Sequence, residues 1–326
     1  MTNIPLSDPK RVLLFGATGT IGRATARALL DRGHHVTCVL RPGSKGMIPP
    51  GAEDVRCDVT DARGIETVLF AAARYDAVIS CLASRTGAPQ DAWAIDHRAT
   101  VNVIEAVKMA GVSHMVLLSA ICVQKPVLAF QHAKLKAEAA LTASGLTYSI
   151  VRPTAYFKSL SGQIARVQQG KPYLLFGDGA LTACTPISDR DLAHYMVDCL
   201  ETPDLQNRVL PIGGPGPALT PRAMGEHLFS ILGKPPEFKH VPVALMRGIS
   251  GALGGISKVV PSLVPKAEFA RIGLYYATES MLALNLDTGQ YDRALTPSTG
   301  SDTLFDYYAD VLSGRAIVER GDHSVF

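Results

Sequence analysis

The segment Gly16-Ala17-Thr18-Gly19-Thr20-Ile21-Gly22-Arg23 has the residue types and spacing most suited to chemistry. It follows a short apolar run and opens a stretch of helical periodicity over residues 21–30. Its glycines allow a tight turn and close approach of the backbone to a pyrophosphate. Free N–H groups and the helix dipole favour an anion at that helix start. A glycine triplet alone is weak, but the strand–loop–helix context that a dinucleotide fingerprint needs is present. Gly16, Thr18, Gly19, Thr20, Ile21, Gly22 and Arg23 are therefore expected to bind a dinucleotide.

The end of the second strand selects the cofactor. An NAD site carries an acidic residue about 20 positions on, for the ribose 2′-hydroxyl. No Asp or Glu lies between Gly33 and Ala52, and the strand runs into Arg41 with Lys45 nearby. A guanidinium suits a 2′-phosphate, so NADPH is the expected cofactor.

Later strand ends supply further candidates. Asp58 and Val59 stand where adenine would lie, although Asp58 also suits a helix cap. Cys81, Leu82 and Ala83 close the fourth strand, with Cys81 expected to be a small buried residue and not a nucleophile. Ser119 closes the fifth strand, and Lys134 lies on the helix after it. Pro153 and Thr154 end the sixth, followed by Tyr156, the candidate proton donor, with water or another group such as Lys158 as the alternative source.

These residues need a scaffold that brings strand ends together. Apolar strand-like runs at 11–15, 35–40, 54–57, 77–81, 114–119 and 147–151 alternate with helical stretches at 21–30, 62–73, 92–109 and 132–143. Strands separated by helical crossovers predict an α/β, doubly wound parallel sheet of Rossmann type. After Pro153 glycine and proline dominate. The expected division is a cofactor domain over 10–155, rejoined by 189–212, and a substrate region over 156–188 and 213–326.

Composition narrows the function classes. The 326 residues are 47% hydrophobic and 19% charged, which excludes a disordered chain. The 32 basic residues nearly balance 29 acidic ones, so no nucleic-acid partner is expected. Six scattered cysteines without a CxxC pair suggest neither a zinc site nor a disulfide framework. No leader is visible in residues 1–10 and no apolar run reaches about 18 residues, so a cytoplasmic protein is expected. The apolar, glycine-rich stretch 241–264, with Arg247 and Lys258, suits weak peripheral contact with a membrane.

Ser119 followed by Lys134 resembles the extended and atypical short-chain dehydrogenase/reductase superfamily. Typical members carry Tyr-x-x-x-Lys on this helix, whereas this sequence has Phe130-Gln-His-Ala-Lys134. The resemblance implies that Lys134 holds the nicotinamide ribose and that no phenol serves at position 130. The second half is similar to the NADPH-dependent divinyl chlorophyllide 8-vinyl-reductase family. The similarity rests on Arg152-Pro-Thr-Ala-Tyr-Phe-Lys-Ser-Leu160, Phe176-Gly-Asp-Gly179, Cys184-Thr-Pro-Ile-Ser-Asp189, Leu210-Pro-Ile-Gly-Gly-Pro-Gly216 and Tyr275-Tyr-Ala-Thr-Glu-Ser-Met281. It implies reduction of the 8-vinyl group of a divinyl chlorophyllide or related magnesium porphyrin to ethyl, and the lack of a visible transit peptide makes a bacterial member the expectation. An alkene has no carbonyl oxygen in need of a phenol, which fits Phe130. The alternatives are an isoflavone-reductase-like enzyme acting on another alkene and a non-catalytic NADP-sensing regulator.

Overall fold

The structure is a computed structural model that describes residues 8–71 and 75–317. Five strands, β1 (Arg11–Phe15), β2 (His35–Leu40), β3 (Glu53–Arg56), β4 (Ala77–Ser80) and β5 (His114–Leu118), alternate with helices α1 (Thr20–Asp31) and α2 (Ala62–Ala71). A short α3 (Pro89–Asp91) continues into a π-helical run, Ala92–Ala99, and then α4 (Thr100–Met109), so 92–109 is not one uniform α-helix. The last two residues of the helix expected over 62–73 lie outside the described residues. Helix α5 (Ala129–Thr142) leads to β6 (Thr147–Pro153).

Beyond β6 come the short helices α6 (Phe157–Leu160) and α7 (Ile164–Gln168), β7 (Tyr173–Phe176), α8 (Asp189–Glu201) and β8 (Arg208–Ile212). They are followed by α9 (Pro221–Ile231), β9 (Phe238–Val241), α10 (Val243–Ile256), α11 (Val264–Thr278) and α12 (Leu304–Leu312).

The main sheet has the order β3-β2-β1-β4-β5-β6-β8. Every pairing in it is parallel. Its central strands are buried on both faces, as a sheet covered by crossover helices requires. Val12, Leu14, Ile79 and Val116 face α1 and α8 on one side. Leu13, Phe15, Val78 and Met115 face α2 and α4 on the other. Because every strand runs the same way, all their C-terminal ends fall on one edge, where ligands of such sheets bind.

A third apolar cluster joins Ile121, Leu128 and Phe157 to Tyr173, Leu228, Tyr275 and Tyr308. Strands β7 and β9 pair parallel within this region. Tyr308 is 1% exposed, and its hydroxyl donates to the Leu160 carbonyl at 2.7 Å, tying α12 to α6. Of the elements after β6, β8 and α8 thus belong to the main sheet and its face, and α6, α7, β7, α9, α11 and α12 build this separate cluster.

Candidate active site

The turn from β1 to α1 is set by two glycines. Gly16 has φ of 75°, and a Cβ there would lie 2.5 Å from the Cys81 carbonyl oxygen. At Gly22 a Cβ would meet the Gly16 carbonyl oxygen at 2.1 Å, so helix and turn touch backbone to backbone. Gly19 differs: it is exposed, has ordinary φ and has only Gly16 O at 3.4 Å. Gly16 and Gly22 shape the turn, and Gly19 keeps space in front of it clear. No side chain caps α1 at Gly19. Its first-turn N–H groups therefore face outward as donors for an anion. Lys158 Nζ donates to Thr20 Oγ1 at 2.9 Å, adding a cation at this helix start. The geometry fits a pyrophosphate.

Arg41 is exposed immediately after β2. The loop that it opens is held from β3: Arg56 donates to the Ser44 carbonyl at 2.7 Å and lies 3.3 Å from Asp54. A Cβ on Gly46 would strike the Thr18 side chain at 2.5 Å, so this loop lies against the glycine turn. Arg41 therefore stands beside the phosphate loop and not out on a free arm. Asp58 accepts from Thr60 N at 2.9 Å and from Thr60 Oγ1 at 2.8 Å. These bonds, with Arg41 as a lesser influence, hold its carboxyl below the usual range. Its carboxylate is thus occupied within a local turn, while Val59 is buried beneath.

Lys134 and Asp96 form the ion pair at the centre of the edge, Nζ to Oδ1 at 2.9 Å, with side chains 13% and 1% exposed. Asp96 stands in the π-helical run, a type of winding often found at functional sites. Both its oxygens lie 3.4 Å from Ser84 N. Leu82, Ser119 and Lys134 share a small void here of about 10 Å³, on the order of one water centre.

One turn along α5, Glu138 is buried and accepts from Ser119 Oγ and from the Arg152 guanidinium through both its oxygens. The Ser119 hydroxyl therefore donates its hydrogen bond to Glu138. The Thr154 hydroxyl donates to the Thr185 carbonyl and its N–H to Ile212 O at 3.0 Å. Pro153 is buried at the same junction. Sequence reasoning missed Asp96 and Glu138. The signals were an aspartate inside a mostly apolar stretch and a glutamate four residues after Lys134 on the same helix face.

Tyr156 is half-buried against the first core and joins Ile187 in an isolated bridge. Burial, with the Cys81 and Cys122 thiols as lesser causes, pushes its phenol above the usual range, so it is protonated at neutral pH. Burial raises the Cys81 thiol to about 12, which keeps it a neutral thiol and no nucleophile. Tyr276 reaches Cys122 Sγ at 3.9 Å and completes this patch. Phe130 packs against Gly87, where a Cβ would lie 3.5 Å from its ring and 2.9 Å from Ile272. The position that typically carries a phenol is thus filled by apolar packing.

The NAD(P)H-binding family model matches residues 16–203, and a nicotinamide dinucleotide is the cofactor of this chain. Two curated proteins named divinyl chlorophyllide a 8-vinyl-reductase, chloroplastic, are similar over almost the whole chain. That of Oryza sativa subsp. indica is 47% identical, covering 97% of this chain and 82% of that protein. That of Cucumis sativus is 49% identical, covering 98% of this chain and 81% of that protein. Among solved structures, an NADPH-dependent quinone oxidoreductase of Escherichia coli complexed with NADPH superposes with a TM-score of 0.66. It is 18% identical and covers 92% of this chain and 99% of that one, a likeness of fold. The expected bacterial, cytoplasmic setting is overturned by these relatives, which are chloroplastic plant proteins. That expectation rested on the lack of a leader, and an absence carries no compartment signal.

Proposed function

Because the chain belongs to the divinyl chlorophyllide a 8-vinyl-reductase family, we propose that it uses NADPH to reduce the 8-vinyl group of a divinyl chlorophyllide to ethyl. The observation that carries this is identity of 47–49% running through both halves of the chain. NADPH, when bound, supplies the hydride. The first turn of α1 and Lys158 hold its pyrophosphate, and Arg41 holds the 2′-phosphate with its loop fixed by Arg56. Val59 beneath the Arg41 loop and Leu82 and Ala83 beyond β4 flank the cofactor.

Lys134 is kept in place by Asp96. An ammonium has three donors, so two remain for the ribose. Ser119, Pro153 and Thr154 support the nicotinamide end through backbone placement. Tyr156 retains its proton until a carbanion forms beside it and then donates from Oη. Apolar packing of Phe130 suits a substrate carbon that needs no hydrogen bond. Residues 156–188 and 213–326 form the substrate region. No helix among the described residues is long and apolar enough to cross a membrane. Exposed Leu245, Ile256, Val259 and Val260 support peripheral lipid contact through α10 and the turn after it.

The test is an anaerobic incubation of the protein with NADPH and divinyl chlorophyllide a. The expected product has gained two hydrogen atoms by mass, with NADPH consumed in equal amount. Tight NADPH binding without oxidation would overturn the reading in favour of a sensor.

A further inference from the structure

A groove between α10 and α11 has no role in the site above. Its volume is about 570 Å³, within the usual range for a small-molecule site. Met246, Ile249 and Leu253 of α10 form one wall, and Pro265, Phe269, Ala270 and Gly273 of α11 the other, with Thr86 at one end. Of the 14 residues of α10 only Ser250 is buried, so this apolar wall is open. A single charged residue lines the groove: Lys266, which is exposed. Residues 242–266 contain no Asp or Glu. The nearby Glu268 is buried, accepts from Ala129 N at 2.9 Å and pairs with Arg271 at 3.0 Å. Among the described residues no carboxylate pairs with this lysine at the groove.

Resting on the function proposed above, we propose that this groove holds the substrate macrocycle, with Lys266 binding the propionate carboxylate at the end opposite the vinyl group. The spacing along α11 supports this. Phe269, Gly273 and Tyr276 follow one another at intervals of four and three, on one helix face. Lys266 marks the outer end of that stripe. Tyr276 marks the inner end, where its hydroxyl meets Cys122 beside Tyr156.

Ten residues at 1.5 Å each span about 15 Å. A chlorophyllide carries its free propionate and its 8-vinyl group on opposite pyrrole rings, so one rigid molecule can meet both ends. Gly273 has no side chain and leaves the middle of the stripe flat, which suits a planar ring. Thr86 links the groove to the reaction edge, because its neighbour Gly87 lies against both Phe130 and Ile272.

Equilibrium binding tests the inference without requiring turnover. Quenching of chlorin fluorescence is titrated with divinyl chlorophyllide a and with its methyl ester, for the wild-type protein, Lys266→Met and Lys266→Arg. Lys266→Met should weaken the free acid about tenfold, because a charge-assisted hydrogen bond is lost from a partly solvated site. The ester should be unchanged, and Lys266→Arg should restore the preference for the acid. Phe269→Ala should weaken acid and ester alike. An acid-to-ester ratio unchanged by Lys266→Met would overturn the proposal, as would ester and acid binding unaffected by Phe269→Ala. Wild-type binding without reduction would instead count against the reductase reading alone.

Discussion

Removing the Lys134 charge is expected to cost stability before it tells anything about catalysis. Nζ lies 2.9 Å from Asp96, whose side chain is 1% exposed. Lys134→Met would leave a buried carboxylate with only two long contacts, at 3.4 Å, from Ser84 N. Breaking such a pair from one side costs about 3–5 kcal/mol. Lys134 is 13% exposed, so the low end, about 3 kcal/mol, is expected. The companion Asp96→Asn should cost about the same.

The double variant, Asp96→Asn with Lys134→Met, removes both charges and should lie within about 1–2 kcal/mol of wild type. The coupling is then about 4–5 kcal/mol, read from urea unfolding of the four proteins with linear extrapolation. The double variant is also the fair test of function. It should fold yet bind NADPH about 10- to 150-fold more weakly, the worth of one charge-assisted hydrogen bond. Coupling below about 0.5 kcal/mol would refute the buried pair. Unchanged NADPH binding in the folded double variant would refute the ribose contact.

Gly19→Val should fold like wild type but lose NADPH, because its Cβ has only Gly16 O nearby at 3.4 Å. Gly22→Ala, with a contact at 2.1 Å to backbone, should instead fail by thermal unfolding. Binding of NADPH by the Gly19 variant would refute the loop assignment. Arg41→Glu should weaken NADPH far more than NADH, and equal losses by titration would show that Arg41 does not read the 2′-phosphate. Tyr156→Phe keeps the ring and removes the hydroxyl, so turnover should fall while chlorophyllide binding holds, and full turnover would eliminate it as donor. His114 is buried with Nε2 unpartnered, and burial, more than Lys10, lowers it from 6.5 to about 4. The unfolded chain then binds the extra proton, so stability present above pH 6.5 is lost as pH falls toward 4, by up to about 3 kcal/mol. His114→Phe should flatten that slope in unfolding titrations, and an unchanged slope would refute the assignment.

The sequence by itself determined the parts whose signal is local. Gly16 and Gly22 sit where backbone meets backbone, so their identity announces the turn before any fold is known. The period of the apolar runs announced alternating strands and helices, and the lack of acids between Gly33 and Ala52 announced the charge of the loop beside Thr18. Family likeness was legible in the second half because its motifs are contiguous.

Partnerships across long stretches of chain were not legible. Asp96 and Lys134 are 38 positions apart, and Glu138 collects Ser119 and Arg152 from two strands. Only packing of α5 against the π-helical run and the sheet brings those groups together. The same packing turned the hydroxyls of Ser119 and Thr154 inward, a matter of rotamer and neighbour that residue type does not state. Lys158 reaching Thr20 depends on how α6 folds back over the sheet edge. The groove beside Lys266 exists only because α10 and α11 pack as a pair with one face open. Local backbone geometry is encoded in neighbouring residues, whereas a site assembled from distant side chains is fixed by the burial that draws its elements together.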